Sequence, residues 1–451
     1  MADTIKKLTD KNGNPVRIVC STPTQAQVKK SVYQLIINGD ITIEDLGGTS
    51  GGERVDIVLT DGAFKENANT ALGLITSELE NHDFNSIPIW AIADTHSSLG
   101  AKDKYDIGEY IASISPNNMM ALFLGDICDT IFSPTYALPN YRHHVDAFDK
   151  AISVIGNHDR ATNSSENIPT THTNINKFFI TKGFERADDV LYGSYNDTDF
   201  NVRYLVINPY EFVPMENAPV GHPVRLGTKQ MTWLIKNLTE CDRDIIILTH
   251  QMFTDLNIHR DGTKQTWADS PNIFYNTWKM LKDRKNKRTG TITDSDGITH
   301  NYDFSNCKSD LLCTIHGHTH EELYLQDEGL LEYALDYGHQ KNCVFISINR
   351  AENKFKVAQF NHTAVKDRLE LSLSGKNSII NNLTNVTSSN MATTGIDTNS
   401  SYTTTLTATS GTLGSITVKM NGIDISNTAV SGNIVTINNV VGRVEITASA
   451  N

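Results

Sequence analysis

The chain has 451 residues, is 39% hydrophobic and 20% charged, and carries a net charge of −13 with a pI near 5.6. That length exceeds one compact core and fits about two to four domains. The acidic balance argues against a broad nucleic-acid-binding face, which needs a basic footprint, and without a run of about 18 apolar residues no membrane span is expected.

Residues 1–61 read as a β-rich N-terminal attachment module, with strands over Val16 to Cys20, Tyr33 to Ile37 and Val55 to Thr60. Gly-rich breaks at Gly47-Gly48 and Gly51-Gly52 separate them. The opening Met1-Ala-Asp-Thr-Ile-Lys-Lys lacks the apolar core of a signal peptide, so export by the ordinary route is not expected. Residues 63–80 predict a helix with Ala71, Leu72, Ile75 and Leu79 on one face, read as core packing before an oligomer contact.

Five short apolar runs then follow, each closed by a polar motif. Ile87 to Ala93 leads into Asp94-Thr-His96, Ala121 to Leu124 into Gly125-Asp126-Ile-Cys-Asp129, and Ala151 to Ile155 into Gly156-Asn157-His158-Asp159. Ile245 to Thr249 precedes His250, and Leu311 to Ile315 precedes Gly317-His318-Thr-His320. Such runs read as buried strands, and open α/β folds place their sites at the carboxyl ends of strands. Asp, His and Asn are hard or borderline donors that suit Mn, Fe, Zn or Ni. A single His at a strand end is more often a polar boundary residue than a ligand. Five motifs in a fixed order are a different matter.

That order resembles the calcineurin-like metallophosphoesterases: D-x-H, G-D-x-x-D, G-N-H-D, a lone His, then G-H-x-H. The resemblance covers roughly residues 85–360 and implies an α/β fold, a four-layer sandwich of two mixed β-sheets flanked by helices, within a domain spanning 62–375. It implies two divalent metal ions. Asp94, His96, Asp126 and His320 would hold the first, and Asp126, Asn157, His250 and His318 the second, with Asp126 as the bridge. A hydroxide between the ions would attack phosphorus. His158 would give a proton to the leaving group, and Asp129 would orient His158. The competing reading is a decayed site that keeps the fold. His316, His143 and His144 match no ligand position and read as structural or solvent-facing; Arg160 reads as a surface ion pair as readily as a phosphate contact.

Leu226 to Leu238 predicts a helix packed through Trp233, Leu234 and Leu238. A second helix begins near Ser270-Pro271, with Ile273, Phe274, Trp278 and Leu281 on one face. It ends in the strongly basic stretch Lys279 to Arg288, which is either a solvated helix face or a guide for a polyanionic substrate. The six cysteines show no CxxC pair and no framework spacing, so all are expected as reduced thiols.

Residues 376–400, crowded with Ser, Thr and Asn, read as a linker. From 401 to 451, short β-rich segments at Tyr402 to Ala408, Ser415 to Lys419, Ile434 to Ile437 and Val444 to Ala448 predict a small all-β sandwich. Ile416 to Ile425 and Val440 to Ala448 resemble the Ig-like modules of tail proteins from phages of Gram-positive bacteria. Together the resemblances imply a phosphodiesterase on a phage tail or baseplate. Its implied substrate is cell-wall teichoic acid, its partners other virion tail proteins, and its state a homo-oligomer. The alternatives are a structural or receptor-binding virion protein with a non-catalytic phosphoesterase fold, and a cytoplasmic phosphatase acting on phosphoproteins or nucleotides.

Overall fold

The structure is a computed structural model that describes residues 8–9, 15–16, 86–96, 119–126, 145, 148–157, 159, 185–186, 192–210, 224–259, 263–266, 272–336, 343–360, 369–390, 395–398 and 400–451. Of the N-terminal unit it describes one short pair, β1 (Leu8–Thr9) with β2 (Pro15–Val16). The rest of the expected attachment module and the helix over 63–80 lie outside the described residues.

β3 (Ile87–Ile92), β4 (Met120–Leu124) and β5 (Lys150–Val154) run parallel, side by side. Their uninterrupted apolar sequences are buried almost throughout, as strands covered on both faces must be. Next come β6 (Glu185–Arg186), β7 (Gly193–Asp197), β8 (Val202–Val206), helix α1 (Thr228–Glu240) and β9 (Asp244–Leu248). β10 (Leu256–Ile258), β11 (Lys264–Thr266), helix α2 (Asn272–Lys285) and the hairpin β12 (Thr289–Thr293) and β13 (Thr299–Asp303) follow. The region ends with β14 (Leu311–His316), β15 (Leu323–Asp327), β16 (Leu330–Ala334), β17 (Cys343–Asn349), β18 (Lys354–Phe360) and β19 (Leu369–Ser372).

These strands make two mixed sheets. One has six strands in the order β19-β18-β17-β3-β4-β5; the other has nine, β11-β10-β15-β16-β14-β9-β8-β7-β6. β8, β9, β14 and β16 are parallel neighbours, so their carboxyl ends share one edge. Among the described residues helices are few. α1 buries Gln230, Met231, Leu234 and Leu238, a single face at helical spacing.

The basic stretch on α2 is consumed by structure. Lys282 pairs with Asp327 at 2.6 Å, Lys285 with Asp310 at 2.9 Å and Arg288 with Glu328 at 2.5 Å. Arg284 is fully buried, its Nε donating to Leu238 O and its Nη2 to Ser309 O and Oγ. Acidic groups beyond the helix thus pair with Lys282, Lys285 and Arg288, which favours the reading of this stretch as structural.

Among the described residues beyond 375 the regular structure is all strand apart from one short helix. β20 (Lys376–Asn377), β21 (Ile379–Thr384), β22 (Val386–Ser388) and β23 (Ile396–Asp397) come first. β24 (Tyr402–Ala408), β25 (Leu413–Met420), β26 (Ile423–Asp424), α3 (Ser426–Ala429), β27 (Val430–Ser431), β28 (Ile434–Ile437) and β29 (Val444–Ala450) complete it. Two four-stranded sheets result, β21-β29-β25-β26 and β22-β24-β28-β27. The region 376–400, expected as a linker, instead contributes strands: β21 pairs in parallel with β29, β22 pairs antiparallel with β24, and β20 with β23 makes a separate two-stranded sheet. Most of the Ser, Thr and Asn residues of β21 and β22 occupy half-buried or exposed positions, while Ile379 and Val386 enter the core. The β-rich region meets the phosphoesterase-like sheets directly. Asn421 Nδ2 donates to the buried Tyr324 OH at 3.0 Å, and Thr398 Oγ1 donates to Gln326 Oε1 at 2.8 Å. Cys241, Cys307 and Cys313 are buried free thiols.

Candidate metal centre

Each of the five motifs sits just past a strand. Asp94 and His96 follow β3, Asp126 follows β4 and Asn157 follows β5, all in the six-stranded sheet; His250 follows β9, and His318 and His320 follow β14, in the nine-stranded sheet. The carboxyl edges of the two sheets therefore face each other across the site. Backbone bonds stitch the turns together: Asp94 N to Gly125 O and His96 N to Asp126 O, both 2.9 Å, and Gly317 N to His250 O at 3.0 Å. Other bonds cross between sheets, from His318 N to Asp94 Oδ2 at 2.8 Å and from His250 Nδ1 to Leu124 O at 2.7 Å.

The side chains gather into two groups sharing one carboxylate. Asp94, His96, Asp126 and His320 form the first, and Asp126, His250 and His318 the second, the ligand atoms within each group lying within 4.8 Å of one another. Asn157 joins the second, its Oδ1 standing 3.0 Å from both His250 Nε2 and His318 Nδ1. All seven ligand candidates named from the sequence thus converge. All are buried except His320, which marks the open side. His158 and Asp129 lie outside the described residues, as do His143, His144 and Arg160.

Close approach depends on glycine at two turns. A Cβ on Gly156 would overlap Asp126 Oδ1 and the Asp126 backbone nitrogen, and one on Gly125, at φ +90°, would lie 2.5 Å from His250 Nδ1. The ligand turns are also bent into the left-handed region. Asp94, His96, Asp126, His318 and His320 have φ between 39° and 73°, five of the eleven non-glycine residues with positive φ among those described. Each such residue costs about 1–3 kcal/mol and persists where surrounding structure enforces it, commonly at functional sites.

The residues fit a divalent cation. Imidazole nitrogens of His96 and His320 stand 3.2 Å apart, and those of His250 and His318 3.3 Å apart, each pair aimed at a shared carboxylate region. Asp94 Oδ1 is buried and takes part in no hydrogen bond. Burial alone would lower the His250 pKa, but the Asp126 and Asp94 carboxylates outweigh it and push it to about 9. A bound cation satisfies the same negative field that otherwise draws a proton onto His250.

Two contacts at the site, made by Asp159 and Tyr210, were not legible in the sequence. Asp159, the last residue of its motif, is fully buried, and its Oδ2 accepts the backbone N–H groups of Asp126 at 2.9 Å and Gly156 at 2.7 Å. Tyr210, after β8, donates its hydroxyl to Asn157 Oδ1 at 3.4 Å. The Tyr210 turn is fixed by Asn208, whose backbone exchanges two hydrogen bonds with the side chain of Gln230 on α1. An amide and a phenol separated by a chain reversal carry no spacing signal. His316 is fully buried beneath the site, with its pKa pushed down by burial to about 3, in keeping with a structural role.

The model of the calcineurin-like phosphoesterase family matches residues 87–322, more than half of the chain. The protein belongs to that family. No curated protein matches the chain. Among solved structures, PhoD aligns at 10% identity with a TM-score of 0.39, covering 64% of this chain and 70% of PhoD. The phosphopantetheinyl hydrolase PptH from Mycobacterium tuberculosis aligns at 14% identity and a TM-score of 0.30, covering 57% of this chain and 92% of PptH. The family membership, together with the clustered Asp and His side chains, makes this a divalent-metal site in a metallophosphoesterase fold.

Proposed function

We propose that the chain is a dinuclear metal-dependent phosphoesterase, with its two mixed sheets as the inner layers of a four-layer sandwich. The observation that carries the reading is the partition of seven ligand candidates into two groups joined at Asp126. Asp94, His96, Asp126 and His320 hold one ion, and Asp126, Asn157, His250 and His318 the other. When bound, a pair of Mn, Fe, Zn or Ni ions supplies Lewis-acid polarisation of the phosphoryl group and an acidified water. The protein's own part is orientation and proton handling. Asp159 fixes the turn that carries Asp126, Tyr210 steadies Asn157, and His158, oriented by Asp129, delivers a proton to the leaving oxygen.

The finer reading is a phosphodiesterase carried on a phage tail and directed at teichoic acid, a polymer joined by phosphodiesters. It is supported by the sequence pattern over 401–451, which resembles an Ig-like module, and by the two small sheets found over the C-terminal region. The test is hydrolysis of bis-p-nitrophenyl phosphate, p-nitrophenyl phosphate and purified teichoic acid with added Mn2+, with Asp126→Ala as control. Diester and polymer turnover lost in the variant supports both readings. Monoester turnover alone keeps the enzyme and removes the teichoic acid assignment, and no metal-dependent turnover favours a binding protein.

A further inference from the structure

A carboxyl group outside every motif is buried directly behind the metal centre. Glu332 lies in the middle of β16 and is fully buried. Its Oε1 accepts the backbone N–H of Phe253 at 2.6 Å, and its Oε2 accepts the Thr254 hydroxyl, also at 2.6 Å. His316 Nε2 stands 3.3 Å from the same Oε1. Phe253 and Thr254 belong to the turn that leaves β9 through His250; His316 ends β14, two residues before His318. One side chain on a third strand therefore touches the turn that carries His250 and the strand end that leads into His318. The turns also hold each other, through Gly317 N to His250 O.

Burial of a carboxyl group among apolar strands is costly unless its oxygens are satisfied, and an apolar residue on a central strand would pack there at lower cost. The oxygens of Glu332 are spent on one segment, the exit from β9. We propose that Glu332 is a positioning residue for the metal centre: it clamps the 250–254 turn against β14 so that His250 and His318 stay aimed at a common point. Outer groups that orient metal ligands typically govern metal affinity by about 10–100-fold. The proposal rests on the assignment of His250 and His318 as ligands.

The experiment uses the full chain and three variants. Glu332→Leu removes both acceptors while filling the core. Glu332→Gln keeps an oxygen for Phe253 N–H and offers an amide to Thr254 Oγ1. Thr254→Val removes one of the two bonds and keeps the shape. Mn2+ affinity is measured by calorimetry, thermal melting without metal reports the fold, and hydrogen exchange of the metal-free protein is followed over 316–320. Amides there bond to His250 O and to Asp94 Oδ2, not to Glu332. Expected are a Mn2+ affinity about 10–100-fold weaker in Glu332→Leu, a smaller loss in Thr254→Val, near wild-type affinity in Glu332→Gln, and faster exchange over 316–320 in the leucine variant. A folded Glu332→Leu with unchanged Mn2+ affinity and unchanged exchange overturns the proposal. If that variant does not fold, unchanged affinity in Thr254→Val overturns it. A wild-type chain that binds no Mn2+, while exchange responds as expected, removes the metal assignment and leaves the clamp standing.

Discussion

Asp159 accepts the backbone N–H of Asp126 at 2.9 Å, so the residue whose carboxylate is shared by both ligand groups is held through its backbone by a second carboxylate 33 residues further along the chain. The same Oδ2 takes the N–H of Gly156, which ties the turns after β4 and β5 into one unit. Asp159→Ala is expected to weaken Mn2+ binding by about 10–100-fold, as loss of an outer-shell partner does. Asp126→Ala should lose more than that. Calorimetric titration of the two variants side by side checks the ranking, and equal losses would show that Asp159 does more than position.

Gly156→Ala places a methyl group where Asp126 Oδ1 and its backbone nitrogen already stand. The nitrogen is backbone and cannot retreat, and the carboxylate could yield only by leaving the position it shares between the two ligand groups. The variant should lose metal binding and melt at lower temperature. Gly297→Ala is the control for backbone effects, because its turn at φ +81° has open space around the added atom. A lowered melting temperature with unchanged Mn2+ affinity is expected there.

Burial pushes the Glu332 pKa from 4.5 up to about 8, against the opposing hydrogen bonds from Thr254 and Phe253 and with a further push from Asp255. His316, the nearest titratable group on β14, is itself held neutral by burial. Between those two values the folded chain keeps a proton that the unfolded chain has released. Stability from this group is thus complete below the unfolded value and is lost as pH rises towards about 8. Glu332→Gln removes the titration, so its melting temperature should fall less than that of the wild type between pH 5 and pH 8.5. Parallel melting curves for the two proteins would show that Glu332 is already ionised at pH 5.

Lys285→Glu is expected to leave KM for a polymeric phosphodiester unchanged at low and high salt, since Lys285 already pairs with Asp310. Arg284→Ala should act on stability instead. It strands the Leu238 and Ser309 carbonyls in the core, and each buried acceptor left without a donor costs ~1–3 kcal/mol. Denaturant melts and polymer kinetics separate the two effects.

The parts of the molecule legible from sequence were those governed by local rules. Ile87 to Ala93 and Ile245 to Thr249 announced buried strands because every position must be apolar when both faces are covered, and the ligands could be named because their motifs close those strands. The helix over Leu226 to Leu238 was found two residues early, its periodic face intact. What escaped was set by partners far away in sequence. Lys282 to Arg288 looked like a free basic face because its partners Asp310, Asp327 and Glu328 come 25 to 45 residues later in the chain. Residues 376–400 looked like a linker because composition alone does not reveal that β21 finds its partner in β29. Glu332 and Asp159 gave no sign because a carboxylate bonded to a distant backbone N–H leaves no pattern in the chain.

The place of β29 has a bearing on synthesis. β21 and β25 both lean on β29, one parallel and the other antiparallel, so residues 379–384 and 413–420 lack their central neighbour until residues 444–450 have been made. A ribosome emits the phosphoesterase strands well before that, and they can settle while the later segment is still open. β29 is the keystone: until it arrives, β21 and one edge of β25 stay unpaired and exposed to other chains, the interval in which nascent sheets of this kind are most prone to aggregate.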